Sequence, residues 1–201
     1  MNNLDIIKEF RQRTNVSVAK CKEALEKTEN DIELAIRWLQ EQSIQILTNN
    51  NATTSEGRIF TYVHANKKIG VLLKLKCQTD FVAKTDEFNV LGNDLCLQIA
   101  SENPLYVSKE DISERELNSQ QNLLSIVTMK EMTEKGGFKT DKQELLQKIV
   151  DGKLNKWFKE VCLSEQKFIK NDKVIIKQLL SDLSMKCGEK IEVALFVREV
   201  L

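Results

Sequence analysis

The sequence predicts an α+β protein. It reads as an N-terminal three-helix domain, a linker, and a core in which a small antiparallel sheet packs against helices. Three observations carry this reading. Apolar residues recur at helical spacing between Leu4 and Leu39. Two Val/Ile/Phe/Tyr-rich runs, RIFTYVHA (58–65) and IGVLLKLKC (69–77), flank the polar break Asn66-Lys67-Lys68, the pattern of a β-hairpin. The C-terminal KIEVALFVREVL places Ile191, Val193, Leu195 and Val197 at period two, the pattern of a strand with one face.

The N-terminal domain is expected over residues 1–44. Leu4, Ile7 and Phe10 mark its first helix. Ser17 is placed to cap a second helix with Val18, Cys21 and Leu25 on one face. Asn30 or Asp31 starts a third, with Ile32, Ala35, Ile36 and Leu39 inward. From Gln45 to Glu56 the composition turns to Asn, Thr, Ser and Gln, and residues 45–56 read as a linker. The core is expected over 57–201.

After the hairpin, Phe88, Leu91, Gly92, Leu95 and Ile99 line one face of a helix that stops near Asn103-Pro104, because proline biases its predecessor towards extended backbone. Residues 108–163 are mostly helical by pattern. Ser108 and Asp111 form an S-x-x-D capping box, and Gly136-Gly137 breaks the run before a helix with Leu145, Leu146, Ile149, Val150, Leu154, Phe158 and Val161. A further short helix is expected to carry Val174, Ile175, Leu179, Leu180 and Leu183 and to end at Gly188.

The chain of 201 residues is long enough to bury a substantial core. Its 30 basic and 30 acidic residues balance, which argues against affinity won by neutralising nucleic-acid phosphates. No apolar run approaches the roughly 20 residues that span a bilayer, and MNNLDIIKEF carries charges where a secretory signal is apolar. A soluble, cytoplasmic protein is expected. The five cysteines are scattered without a C-x-x-C pair, so they read as reduced, mostly buried thiols and not as a disulfide framework or zinc site.

Enzymatic signatures are absent. The chain has neither G-x-x-x-x-G-K-[ST] nor G-x-G-x-x-G, and no G-x-S-x-G or H-E-x-x-H. The single histidine, His64, has no acid or cysteine near it in sequence that would define a dyad, and a strand-edge histidine needs no role. Pairs such as Asp86-Glu87 and Glu110-Asp111 stand at helix starts, where the macrodipole favours acids. No catalytic residue, cofactor or metal site is expected.

QTDFVAKTDEF (78–88) poses the sharper question. Thr79 is a good N-cap and Thr85 another, so Phe81 falls in the first turn of a very short helix. Two readings stand. Phe81 turns inward over the sheet and Asp80 merely favours the helix start, or the ring protrudes to enter a partner's pocket with an acid beside it.

Three blocks add a resemblance. KEFRQRTNVSVAKCKEALEKTENDIELAI, IGVLLKLKCQTDFVAKTDEF and KIVDGKLNKWFKEVCLSEQKF resemble, in order, signatures of the elongation factor Ts family, whose members exchange guanine nucleotide on the GTPase elongation factor Tu. The family's Gly-Ala-Gly-Met-Met run is replaced here by Asn15, Val16, Ser17, Val18 and Ala19; Gln78 stands where glutamate is usual, and Lys167 where proline is usual.

The resemblance implies a three-helix domain similar to the ubiquitin-associated (UBA) fold, which docks on the GTPase through Arg11, Val18 and Ala19. It further implies that Thr79, Asp80, Phe81 and Val82 contact the GTPase, with Asp80 and Phe81 entering near its magnesium and the phosphates of bound GDP, and that His64 presses on the same domain. Having one core unit where many relatives have two, the chain is expected to act as a homodimer, with the C-terminal strand as a candidate contact surface. The UBA-like likeness also admits a different reading, an adaptor for ubiquitin-like proteins or peptides. That reading leaves Thr79-Asp80-Phe81-Val82 unexplained.

Overall fold

The computed structural model describes residues 3–14, 16, 18–48, 53–134 and 143–201. The architecture is α+β, as expected. The chain divides into two units, residues 1–97 with 177–201, and residues 98–176.

The first unit begins with three helices, α1 (Asn3–Thr14), α2 (Val18–Lys27) and α3 (Ile32–Thr48). Their shared core holds Phe10, Val16, Cys21, Ala24, Leu25, Ala35 and Leu39, with Ile7, Ile32 and Ile36 against it. The Leu4 side chain is outside the described residues, and the rest of the apolar spacing read correctly except at Val18. That residue is 42% exposed at the first position of α2, where no preceding helical turn covers it. Ser17, the expected cap of α2, and the Gly136-Gly137 break lie outside the described residues. Asp31 caps α3 by accepting the Leu34 N–H at 2.9 Å, and the reversal before it uses left-handed backbone at Glu29 and Asn30. α3 runs past Gln45 to Thr48, so the connection to the sheet is shorter than residues 45–56. The Thr54 hydroxyl, buried in that connection, donates to the Glu192 carboxylate.

The sheet has three antiparallel strands in the order β1 (Glu56–Val63), β2 (Ile69–Cys77), β5 (Glu192–Val200). β2 is central. Its Val71, Leu73 and Leu75 point into the core, where Phe60 of β1 meets Phe88 with ring centroids 6.1 Å apart. Helix α5 (Asp86–Glu102) supplies Phe88, Leu91, Leu95 and Ile99, all buried as the spacing predicts. Each such side chain contributes about 1.5–3 kcal/mol on burial.

β5 departs from its expected face. Lys74 pairs with Leu195 but Leu75 pairs with Val193, so Ala194 is an extra residue in the strand. A bulge of this kind shifts the pleat by one. Val193 faces the core, while Leu195 and Val197 emerge on the opposite side, 52% and 43% exposed. They share that outer face with Leu72, Ile59 and Val63, which are also exposed.

α8 (Ile176–Cys187) precedes β5 and ends at Gly188, whose φ of +74° is the left-handed conformation expected of a helix C-cap glycine. Val174 and Ile175 do not belong to α8. They lie in β4 (Asn171–Ile175), a short hairpin with β3 (Lys167–Phe168) in the second unit. The fully buried Gln98 holds that hairpin by donating to the Gln166 side chain (3.1 Å) and the Lys167 carbonyl (3.0 Å) and accepting the Ile169 N–H (2.9 Å). Every polar atom of this carboxamide is used, which is why it can be buried.

The rest of the second unit is a helical pair, α6 (Glu114–Glu134) and α7 (Gln143–Val161). Ser108 and Asp111 do form the expected box, but it opens only a 3₁₀ turn over Lys109–Asp111. The long helix starts later, where Ser113 accepts the Glu116 N–H at 3.3 Å.

Candidate partner-docking site

The chain leaves β2 at Cys77 and turns at once into α4 (Asp80–Ala83), a single helical turn. Three sets of bonds fix its start. The Cys77 thiol donates to the Thr79 carbonyl at 3.2 Å. Thr79 Oγ1 accepts the Val82 N–H at 3.4 Å, the N-cap bond predicted from sequence. Thr79 in turn donates twice to one carboxylate, from its backbone N–H to Glu189 Oε2 (3.0 Å) and from its hydroxyl to Glu189 Oε1 (2.6 Å).

The end of α4 is fixed as well. Thr85 Oγ1 donates to the Val82 carbonyl at 2.8 Å and accepts the Phe88 N–H at 3.3 Å, so one hydroxyl closes α4 and opens α5. The Asn89 amide donates to the Thr85 carbonyl at 2.7 Å, and its oxygen accepts from Arg58 of β1 at 2.8 Å.

A turn clamped at both ends shows one side to the core and one to solvent. Val82 and Ala83 are buried. Phe81 is 86% exposed. Asp80 is also exposed and pairs with Lys84, Nζ to Oδ2 at 2.5 Å. Of the two readings of Phe81, the outward one describes its geometry. Val82, grouped with Thr79, Asp80 and Phe81 as a contact residue, is an inward anchor of the turn because its side chain fills the space beneath it.

Burial pushes the Cys77 thiol up to about 11, and the charge of Glu189 adds to the shift. The thiol therefore stays protonated and keeps its donor bond to Thr79 at neutral pH. Burial likewise raises Cys96 and Cys162 to about 11. Reactive-thiol chemistry needs the opposite shift.

His64 lies elsewhere. It follows β1 at the hairpin turn, donating its N–H to the Ile69 carbonyl (2.9 Å) and accepting the Lys67 N–H (2.7 Å). Its Nδ1 stands 2.9 Å from the Tyr62 hydroxyl. The turn is at the end of β1 opposite the Glu56–Cys77 pair that leads into α4, about 24 Å along the strand at roughly 3.4 Å per residue. Arg11 is exposed on α1 and Val18 is exposed on α2. Ala19 is in α2, and its side chain is outside the described residues.

The predicted residues thus fall into three places: the α4 turn, the hairpin tip and the N-terminal helices. Sequence reasoning missed Glu189, which lies 110 residues from Thr79. No local pattern could pair them. The one available signal was the C-cap glycine immediately before it.

Comparison with known proteins bears on what this turn is for. The family model described as "Elongation factor TS" matches residues 4–199. The chain belongs to the elongation factor Ts family.

Elongation factor Ts of Thermosipho melanesiensis is 37% identical over 199 residues, covering 98% of this chain and 97% of the relative. That of Thermotoga neapolitana is 38% identical over 197 residues, covering 98% and 95%. That of Heliobacterium modesticaldum is 35% identical over 194 residues, covering 96% and 86%. Among the described residues of the chain, no cluster of His, Cys, Asp and Glu is arranged to hold a metal ion, and no helix is long and apolar enough to cross a membrane.

Proposed function

We propose that this chain is the guanine-nucleotide exchange factor of elongation factor Tu, acting in the bacterial cytoplasm or in an organelle of bacterial descent. Membership of a translation elongation factor family supports the process. The observation that carries the mechanism is the exposed Phe81 ring on a turn bonded at both ends. An exchange factor makes and breaks no covalent bond. It must bind the nucleotide-free GTPase better than the GDP-bound one, because equal affinity for both shifts nothing.

In this reading Phe81 enters the GTPase near its magnesium and nucleotide phosphates. Asp80 leaves Lys84 and disturbs the polar groups there, and GDP departs. An exposed ion pair is worth only about 0–1 kcal/mol, so releasing Asp80 costs little. Rigidity matters because a pre-ordered turn loses little entropy on docking.

Magnitudes demand further contacts. Accelerating release ~10⁴-fold lowers the barrier by roughly 5.5 kcal/mol. Burying one Phe returns only about 1.5–3 kcal/mol. Docking by Arg11, Val18 and Ala19 of the N-terminal helices, and by His64 at the hairpin tip, supplies the difference.

The same reading includes a homodimer. The outer face of the sheet, with Ile59, Val63, Leu72, Leu195 and Val197 exposed, is the surface assigned to the second copy. Release of fluorescent GDP from elongation factor Tu, with and without this protein, tests the function. Accelerated release is expected, and an unchanged rate at excess protein refutes it.

A further inference from the structure

We infer that Glu189 is a positioning residue for nucleotide exchange, acting through Thr79 to hold the Phe81 turn in its docking pose. The inference rests on the exchange-factor reading above.

Four residues are too few for α4 to hold itself. A helix leaves its first N–H groups without intrahelical acceptors, and a helix this short consists of little else. Local sequence often solves this with a capping box, in which the residue at the third helical position accepts the N-cap N–H. In α4 that position is Val82, which has no acceptor. Glu189 does the work instead, from the far side of the sequence, by taking the Thr79 N–H on one oxygen and the Thr79 hydroxyl on the other. The hydroxyl has one proton. Giving it to the carboxylate leaves the Thr79 lone pairs for the Val82 N–H, so the two bonds are linked. Bonds to an ionised acceptor are stronger than neutral ones.

Glu189 is itself held. Gly188 reverses the chain after α8, and the N–H groups of both Gly188 and Glu189 donate to the Ser184 carbonyl at 2.8 and 3.2 Å. On the other side the buried Ile191 N–H donates to Ser184 Oγ at 3.0 Å. Ser184 is fully buried. The carboxylate thus stands on a loop tied to α8 at both ends, and its reach to Thr79 transmits that rigidity to Phe81.

The test compares Glu189→Ala, Glu189→Gln, Phe81→Ala and the Glu189→Ala/Phe81→Ala double variant in the full chain. Release of fluorescent GDP from elongation factor Tu is followed over a titration of each variant. Glu189→Ala is expected to lower the plateau rate about tenfold, with a change below about threefold in the concentration giving half the plateau. A loss of folded protein would do the reverse, moving the half-plateau concentration and leaving the plateau intact. Glu189→Gln keeps one acceptor oxygen and is expected to recover part of the plateau. The double variant is expected to be no slower than Phe81→Ala alone, since a positioning residue has nothing left to position.

A normal plateau for Glu189→Ala beside an impaired Phe81→Ala overturns the inference and leaves the exchange-factor reading standing. A normal plateau for Phe81→Ala overturns the inference together with the role given to Phe81, while the absence of accelerated release by the unaltered chain overturns the exchange-factor reading itself. If Glu189→Ala fails to fold, Thr79→Val, which removes only the hydroxyl, takes its place under the same criteria.

Discussion

The ring of Phe60 occupies the space that a side chain at Gly92 would need. A methyl group built on Gly92 stands 2.3 Å from the nearest ring atom, far inside van der Waals contact. Phe60 is buried against Phe88 and cannot swing clear. Alanine is the better helix former by about 1 kcal/mol, but overpacking a filled core costs about 1–3 kcal/mol. Gly92→Ala is therefore expected to lower the thermal midpoint by a few degrees, and adding Phe60→Leu to restore part of it. Scanning calorimetry on the unaltered chain and the two variants checks this.

That contact also shows what was legible in the sequence. Gly92 was placed on the inner face of its helix by spacing alone, together with Phe88, Leu91, Leu95 and Ile99, and all five are buried. The β1–β2 hairpin read equally well, since two runs rich in β-forming residues stand on either side of the polar break Asn66-Lys67-Lys68. Features set by distant partners did not. Ala194 shifts the pleat of β5 only because of how it meets Lys74 and Leu75. Val174 and Ile175 sit in a strand because Lys167 and Phe168 pair beside them and Gln98 ties the turn. At the candidate site, the Thr79 cap and the oddity of Phe81 were visible in a few residues. Glu189 was not.

Lys84 holds Asp80 in the free chain, and both side chains are more than half exposed. Such a pair adds about 0–1 kcal/mol to stability. Lys84→Ala should therefore leave the thermal midpoint nearly unchanged. It should also leave GDP release at least as fast as in the unaltered protein, because Asp80 no longer has to exchange partners on docking. A rate several-fold slower would instead give Lys84 a contact of its own on the GTPase.

Acid should weaken the fold through Glu87. Its hydrogen bond and charge contact with Lys186, Nζ to Oε1 at 2.7 Å, hold its carboxyl below the ordinary 4.5. A carboxylate depressed in the folded state adds stability above its unfolded pKa and loses it as pH falls through the folded one. The midpoint should decline as pH drops below about 4.5, with a shallower slope for Glu87→Gln over that window. Thermal melts in steps from neutral to acid pH read the difference, and equal slopes would show that the pair contributes nothing.

Leu195 and Val197 reached the outer face of the sheet through the Ala194 bulge, next to Ile59, Val63 and Leu72. If a second copy covers that face, Leu195→Asp buries an unpaired charge in the contact, which costs several kcal/mol. Sedimentation velocity should show the unaltered chain as a dimer and Leu195→Asp as a monomer with unchanged helical and sheet content. Dimers that persist in the variant would move the contact elsewhere.

The central claim is that an exposed ring on a braced turn drives nucleotide out of another protein. Phe81→Ala tests it most directly, because so exposed a side chain can be removed without opening a cavity. With fluorescent GDP on elongation factor Tu and saturating protein, the account predicts release slowed at least ~10-fold, the effect of about 1.4 kcal/mol on the barrier, with an unchanged thermal midpoint. Release within about twofold of the unaltered protein would contradict it.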